Sequence, residues 1–325
     1  MARFRLIVGG AVLAWAGALL AGCTTNKATG RSQFDVLSRQ DEIALGEQAM
    51  PELVDGYGGA VSDPALGAYV RRVGMSIVEQ TEGDYRSLPW EFTLLNSDVI
   101  NAFALPGGKV FVSRALAEKF TNEAQLAGVL GHEVGHVTAE HADQGVARQI
   151  GLSALAIGLG VAAGSDEGMQ LAVGAVVSGA GVYALSFDRD QEIEADKLGM
   201  RYMTGAGYNP KGMLQLMQVL QRASQGGGRQ PEWLSTHPLP ETRIRIIEDR
   251  LKKEKYAAAP PGAVTSGDDG FFQSRFQREF LEPLDRLPPA TSRQSRLDLS
   301  RPELWCALCA AGRGLGHEMG TGTRN

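Results

Sequence analysis

A mostly helical α+β fold is what this sequence predicts, and three observations predict it. Leu66, Val70, Val73 and Ile77 recur at helical spacing, the pattern of an amphipathic helix, and several other segments repeat it more weakly. Trp90 to Leu95, Val99 to Leu105 and Lys109 to Ser113 are short apolar runs of strand type, the last two separated by the turn Pro106-Gly107-Gly108. The composition is that of a globular protein with a sizeable core, 43% hydrophobic and 21% charged over 325 residues.

The elements follow in order. Arg3 and Arg5 precede an apolar run from Leu6 to Gly22, the layout of an export signal, so residues 1–22 are expected to be a signal peptide. The run ends in Leu20-Ala21-Gly22-Cys23, which resembles a bacterial lipoprotein box. That resemblance implies a lipid on Cys23, and Thr24 after it implies sorting to the outer membrane of a Gram-negative cell. Residues 23–40 are polar and turn-rich and are expected to be a tether. Two helices fill 41–82, and the strand and hairpin follow. Asn122 with Gln125 three residues on is an N-cap and capping box, opening a helix that is expected to run to about Ile150. Gly151 to Leu185 is apolar but interrupted by Asp166 and Glu167, so a buried or membrane-facing helical hairpin is expected there. Gln191 to Met203, Lys211 to Ala223 and Glu241 to Lys253 are further helices. A Pro- and Gly-rich stretch then opens an extension over 256–325, in which Phe272, Phe276, Phe280 and Leu284 mark one helix with an apolar stripe that docks on the body. Cys306 and Cys309 are expected to form a local disulfide or to be idle thiols, and His317 to be an exposed tail residue.

The chemistry concentrates in His132-Glu133-Val134-Gly135-His136. Residues four apart on a helix differ by about 40° around its axis, so both histidines can reach one metal ion while Glu133 stands beside it as a base. A third ligand is needed to leave one position for water. Asp188, Asp190, Glu192, Glu194 and Asp196 are the candidates. Glu192 and Asp196 share a helical face, which suits one carboxylate on the metal and one behind a ligand imidazole, without deciding which is which. Glu194 points off that face as a solvated charge. His141 would project about 100° away on a continuous helix and is expected in solvent or behind a ligand. A net charge of −5 with no block of Lys and Arg gives no support to a nucleic-acid partner, and Gly226-Gly227-Gly228 reads as linker, not a phosphate loop.

These motifs resemble the zinc metalloendopeptidase family of the CAAX prenyl protease, HtpX, BepA and LoiP, with closest likeness to its LoiP-type lipoprotein members. The likeness rests on the His132 to His136 motif, Glu192-Ile193-Glu194-Ala195-Asp196, Ser235-Thr236-His237-Pro238 with Arg243, and Asn101-Ala102-Phe103-Ala104 before Pro106-Gly107-Gly108. It covers about residues 35–255. The resemblance implies a gluzincin-type peptidase domain over 41–255, with a small β-sheet beside the metal helix and 151–185 as an apolar insert. It also implies one zinc per chain on His132, His136 and Glu192, Glu133 as general base, and Asp196 behind a ligand or acting as proton donor. His237 either sits on the zinc at rest or, like Arg243, hydrogen-bonds the oxyanion.

The function expected is hydrolysis of peptide bonds in misfolded or misassembled envelope proteins, on the periplasmic side of the outer membrane. Unfolded envelope polypeptides and outer-membrane assembly or quality-control factors are the expected partners. Extended substrate is expected to add as a strand along 109–113. The rival reading is a chaperone-like outer-membrane assembly factor that cuts little.

Overall fold

A computed structural model describes residues 23–148, 187–225, 231–237, 241–254 and 269–290. The expected signal peptide (1–22), the expected insert (151–185), Gly226-Gly227-Gly228, Pro238, the two tail cysteines and His317 lie outside the described residues, and among the described residues no helix is long and apolar enough to cross a membrane.

The chain opens with an antiparallel pair, β1 (Cys23–Thr25) and β2 (Ser32–Phe34). This segment is not the slack tether its composition suggested. Asn26 is buried and donates from Nδ2 to the Tyr85 hydroxyl and the Thr138 carbonyl, both at 3.0 Å, while Arg31 pairs with Glu194 and Gln33 with Glu140. Polar residues are turn-forming in isolation, yet each of these finds a partner on the body.

Helix α1 (Arg39–Gly56) starts at a Ser38/Asp41 capping box, and α2 (Pro64–Val78) at Asp63 with Pro64 in the first turn. β3 (Glu91–Leu95), β4 (Ala102–Leu105) and β5 (Lys109–Ser113) form one sheet in the order β3-β5-β4, with β5 parallel to β3 and antiparallel to β4. Residues 109–113 are therefore central and cannot receive a substrate strand. The outer side of β3 is already engaged, since Val61 N–H donates to Leu94 O and Asn96 N–H to Gly59 O, both at 2.8 Å. Among the described residues the other edge of the sheet is β4.

After the short α3 (Arg114–Ala117) comes α4 (Glu123–Thr138), every residue of which is buried. Asn122 caps it by accepting from Gln125 N, and the Gln125 side chain accepts from Thr121 N, one residue upstream of the expected box. The expected run to Ile150 is broken. Ala139 and Glu140 form a turn with Glu140 at φ 56°, and helical residues resume at 141–148. The Glu140 carboxylate offsets the left-handed backbone by accepting from Tyr85 at 3.0 Å and Arg39 at 2.7 Å.

Helix α5 (Arg189–Gly205) begins at an Asp188/Gln191 capping box and packs along α4, the most extensive contact among the described elements. Glycine makes that approach possible. A Cβ on Gly135 would lie 2.8 Å from Ala195 O, and one on Gly199 would lie 2.8 Å from Gly131 C and His132 N. Helices α6 (Lys211–Gln225), α7 (Trp233–Thr236) and α8 (Glu241–Lys253) complete the helical layer. Past the expected boundary, residues 273–285 are helical with a π-turn over Gln277–Leu281. Phe276, Phe280 and Leu284 are fully buried in the main core beside Tyr69, and Arg275 pairs with buried Glu123 at 2.6 Å.

Candidate metal centre

The α4 and α5 helices face each other so that His132, His136, Glu192 and the incoming His237 present one ligand atom each, all within 4.8 Å of one another. Nε2 of His132 and Nε2 of His136 are 3.0 Å apart. The Glu192 carboxylate lies 3.5 Å from the former and 3.3 Å from the latter. His237 Nδ1 is 2.9 Å from Glu192 and 3.4 Å from His132 Nε2. A tetrahedral ion with bonds of about 2.0 to 2.1 Å has donor-to-donor edges of about 3.3 Å, so the separations and the N, N, O donor set fit zinc.

What stands behind these atoms fixes their chemistry. Asp196 accepts from His132 Nδ1 at 2.9 Å, so His132 turns a lone pair at Nε2 into the cluster. Burial would raise the Asp196 carboxyl, but Arg243 and the His132 contact outweigh it and keep it below the ordinary range. Glu192 is likewise pushed up by burial and pulled further down by His237 and Arg243, so it is anionic. Arg243 is fully buried, gives Nε and Nη2 to Asp196 at 2.8 and 2.7 Å, and gives Nη1 to Glu192. Arg243 thus bridges the two carboxylates behind the cluster and holds Asp196 beside His132. Burial drives His136 well below its usual imidazole range and leaves it neutral, as a ligand must be. For His237 burial is outweighed by Glu192 and Glu133, which raise it.

Glu133 is 1% exposed and accepts from the Trp233 indole N–H at 3.3 Å, with His237 Nε2 at 3.8 Å. Trp233 stacks on His237 with centroids 4.7 Å apart and planes at 15°, and Phe187 lies 4.0 Å from the His136 ring. The loop carrying His237 is tied down by Trp233 N–H to Ile100 O, Phe187 N–H to Thr236 O, and a Tyr57 to Glu232 hydrogen bond.

Of the other acidic candidates, Asp188 is the cap of α5 and pairs with Arg148, and Asp190 is exposed. Glu194 is not a solvated charge: it pairs with Arg31 and lies 3.2 Å from His141 Nε2. His141 is fully buried and its Nδ1 is 2.9 Å from His136 Nδ1. The sequence signal for Trp233 was its position four residues before His237, one helical turn, and the interior glycines at 131, 135 and 199 signalled a close helix contact. For Phe187 no signal stood out.

Residues 64–251 match peptidase family M48. The chain is 31% identical over 245 residues to the beta-barrel assembly-enhancing protease of Escherichia coli (strain K12), covering 74% of this chain and 49% of that protein. It is 31% identical over 223 residues to the mitochondrial metalloendopeptidase OMA1 of Schizosaccharomyces pombe, covering 68% and 64%. With that of Arabidopsis thaliana it shares 32% over 162 residues, covering 49% and 31%. The chain spans about half the length of the beta-barrel assembly-enhancing proteases it matches. A family match across more than half of its length, over the residues that build the cluster, places the chain in peptidase family M48.

Proposed function

We propose that this chain is a zinc-dependent endopeptidase acting on misfolded or misassembled envelope proteins. We place it on the periplasmic side of the outer membrane, held by a lipid on Cys23. The observation that carries the proteolysis is the convergence of His132, His136 and Glu192 on one point, with Glu133 beside it. The name of the Escherichia coli relative supports an envelope setting.

His132, His136 and Glu192 would hold one zinc. Bound there, zinc polarises the scissile carbonyl and lowers the pKa of water towards about 7. Glu133 takes the proton from the attacking water and delivers it to the leaving amine. Asp196 orients His132, and Arg243 holds Glu192 and Asp196 in place. Extended substrate adds along β4, where main-chain hydrogen bonds tolerate many side chains. His237, now the fourth donor, must leave for water and substrate to enter, and Trp233 must release Glu133.

That closure favours a second reading, a chaperone-like outer-membrane assembly factor with little proteolysis. Metal analysis paired with casein cleavage separates the two. The wild type is expected to carry about one zinc and cut slowly, Glu133→Gln to keep zinc and lose cleavage by at least about a hundredfold, and His237→Ala to cut faster. Undiminished cleavage by Glu133→Gln would sink the mechanism. Full rescue of a deletion phenotype by that variant would favour the assembly factor.

A further inference from the structure

The two histidines of the motif are held from behind in different ways. His132 leans on a carboxylate, whereas His136 leans on a second imidazole, His141, with Nδ1 atoms 2.9 Å apart. If Nε2 of His136 turns its lone pair into the cluster, its proton sits on Nδ1, and Nδ1 of His141 must accept it. His141 then carries its own proton on Nε2, where Glu194 Oε2 waits at 3.2 Å. Arg31 pairs with that same oxygen. Donors and acceptors therefore match in one direction, from His136 through His141 to Glu194. The reversal at Glu140 lets His141 fold back onto His136, and Arg31 lies in the turn joining β1 to β2.

We propose that His141 and Glu194, steadied by Arg31, are positioning residues that fix the tautomer and ring plane of His136 and so set metal affinity. The N-terminal hairpin is thereby part of the metal centre. The inference rests on His136 being a ligand, and the test keeps the two apart.

Zinc dissociation constants are measured on the full chain by competition with a chromophoric chelator, alongside the visible spectrum of cobalt-substituted protein and the unfolding midpoint of the metal-free form. Glu194→Leu is expected to weaken zinc by about 10- to 100-fold and alter the cobalt bands, the usual effect of losing a partner behind a ligand. Glu194→Gln should stay within about threefold of wild type, because its amide oxygen still accepts from His141. Arg31→Met should fall between them with an unchanged metal-free midpoint. Arg31 is half exposed, so this variant carries the test should Glu194→Leu fail to fold. Wild-type affinity and cobalt spectra in both Glu194→Leu and Arg31→Met, with zinc lost in His136→Ala, would overturn the inference alone. Zinc retained at wild-type affinity in His136→Ala would overturn the underlying assignment.

Discussion

Arg243 shows at the scale of one residue how the centre is stabilised. Its guanidinium pairs with two buried carboxylates, Glu192 and Asp196. Removing one partner of a buried ion pair leaves the other charged and unpaired, so Arg243→Ala is expected to cost about 3 to 5 kcal/mol in urea unfolding and to release metal. Arg243→Lys should recover little of either, because a single ammonium cannot hold two carboxylates in the geometry of the fork. A loss below about 1 kcal/mol in Arg243→Ala would mean that the pairs are replaced by water. Helical spacing alone puts His132 with His136 and Glu192 with Asp196, and only the family resemblance named Glu192 rather than Asp196 as the ligand. The role of Arg243 was not legible, since no local pattern tells that a basic residue forty-seven positions after Asp196 spends its donors behind the cluster.

At the scale of elements, the distance between α4 and α5 sets the distance between the histidines and the carboxylates. Gly199 is one of the glycines that permit the two helices this approach, and a Cβ there would press on Gly131 C and His132 N at 2.8 Å. Gly199→Ala is therefore expected to lose about 1 to 3 kcal/mol by thermal unfolding and to weaken zinc binding, even though no ligand is touched. Unchanged zinc affinity in a destabilised Gly199→Ala would show that the helices can part without moving the ligands. Most elements were legible from periodicity and caps. Two features were not. The break at Glu140 depends on Tyr85 and Arg39, partners distant in sequence, so helical spacing ran straight through it. The place of β5 in the sheet depends on its parallel pairing with β3, and a hairpin pattern reports only its pairing with β4.

For the whole molecule, the segment before α1 is integrated through a buried acidic cluster. Burial, with Glu140 and Asp143 adding to it, overcomes Arg39 and pushes Glu42 up to about 8. Burial also pushes Asp143 up to about 6, against the Leu37 and Val36 N–H groups that it accepts from. Both values exceed those of an unfolded chain, so each carboxyl favours the fold while protonated. The stability they confer is complete below about pH 4 and is lost as pH rises through about 6 for Asp143 and about 8 for Glu42. Glu42→Gln, which cannot ionise, is expected to flatten the fall of the unfolding midpoint between about pH 5 and about pH 8. Parallel curves for variant and wild type would refute that source of pH dependence. Composition could not reveal this docking, because polar, turn-rich residues look the same whether they bind the body or water.

The central claim, that His132, His136 and Glu192 form the metal centre of this family M48 chain, is tested most directly by anomalous diffraction at the zinc edge from crystals of the zinc-loaded protein. One peak is predicted, bounded by Nε2 of His132, Nε2 of His136 and the Glu192 carboxylate, and absent in His136→Ala. A peak at other residues, or none among these three after loading, would contradict the account.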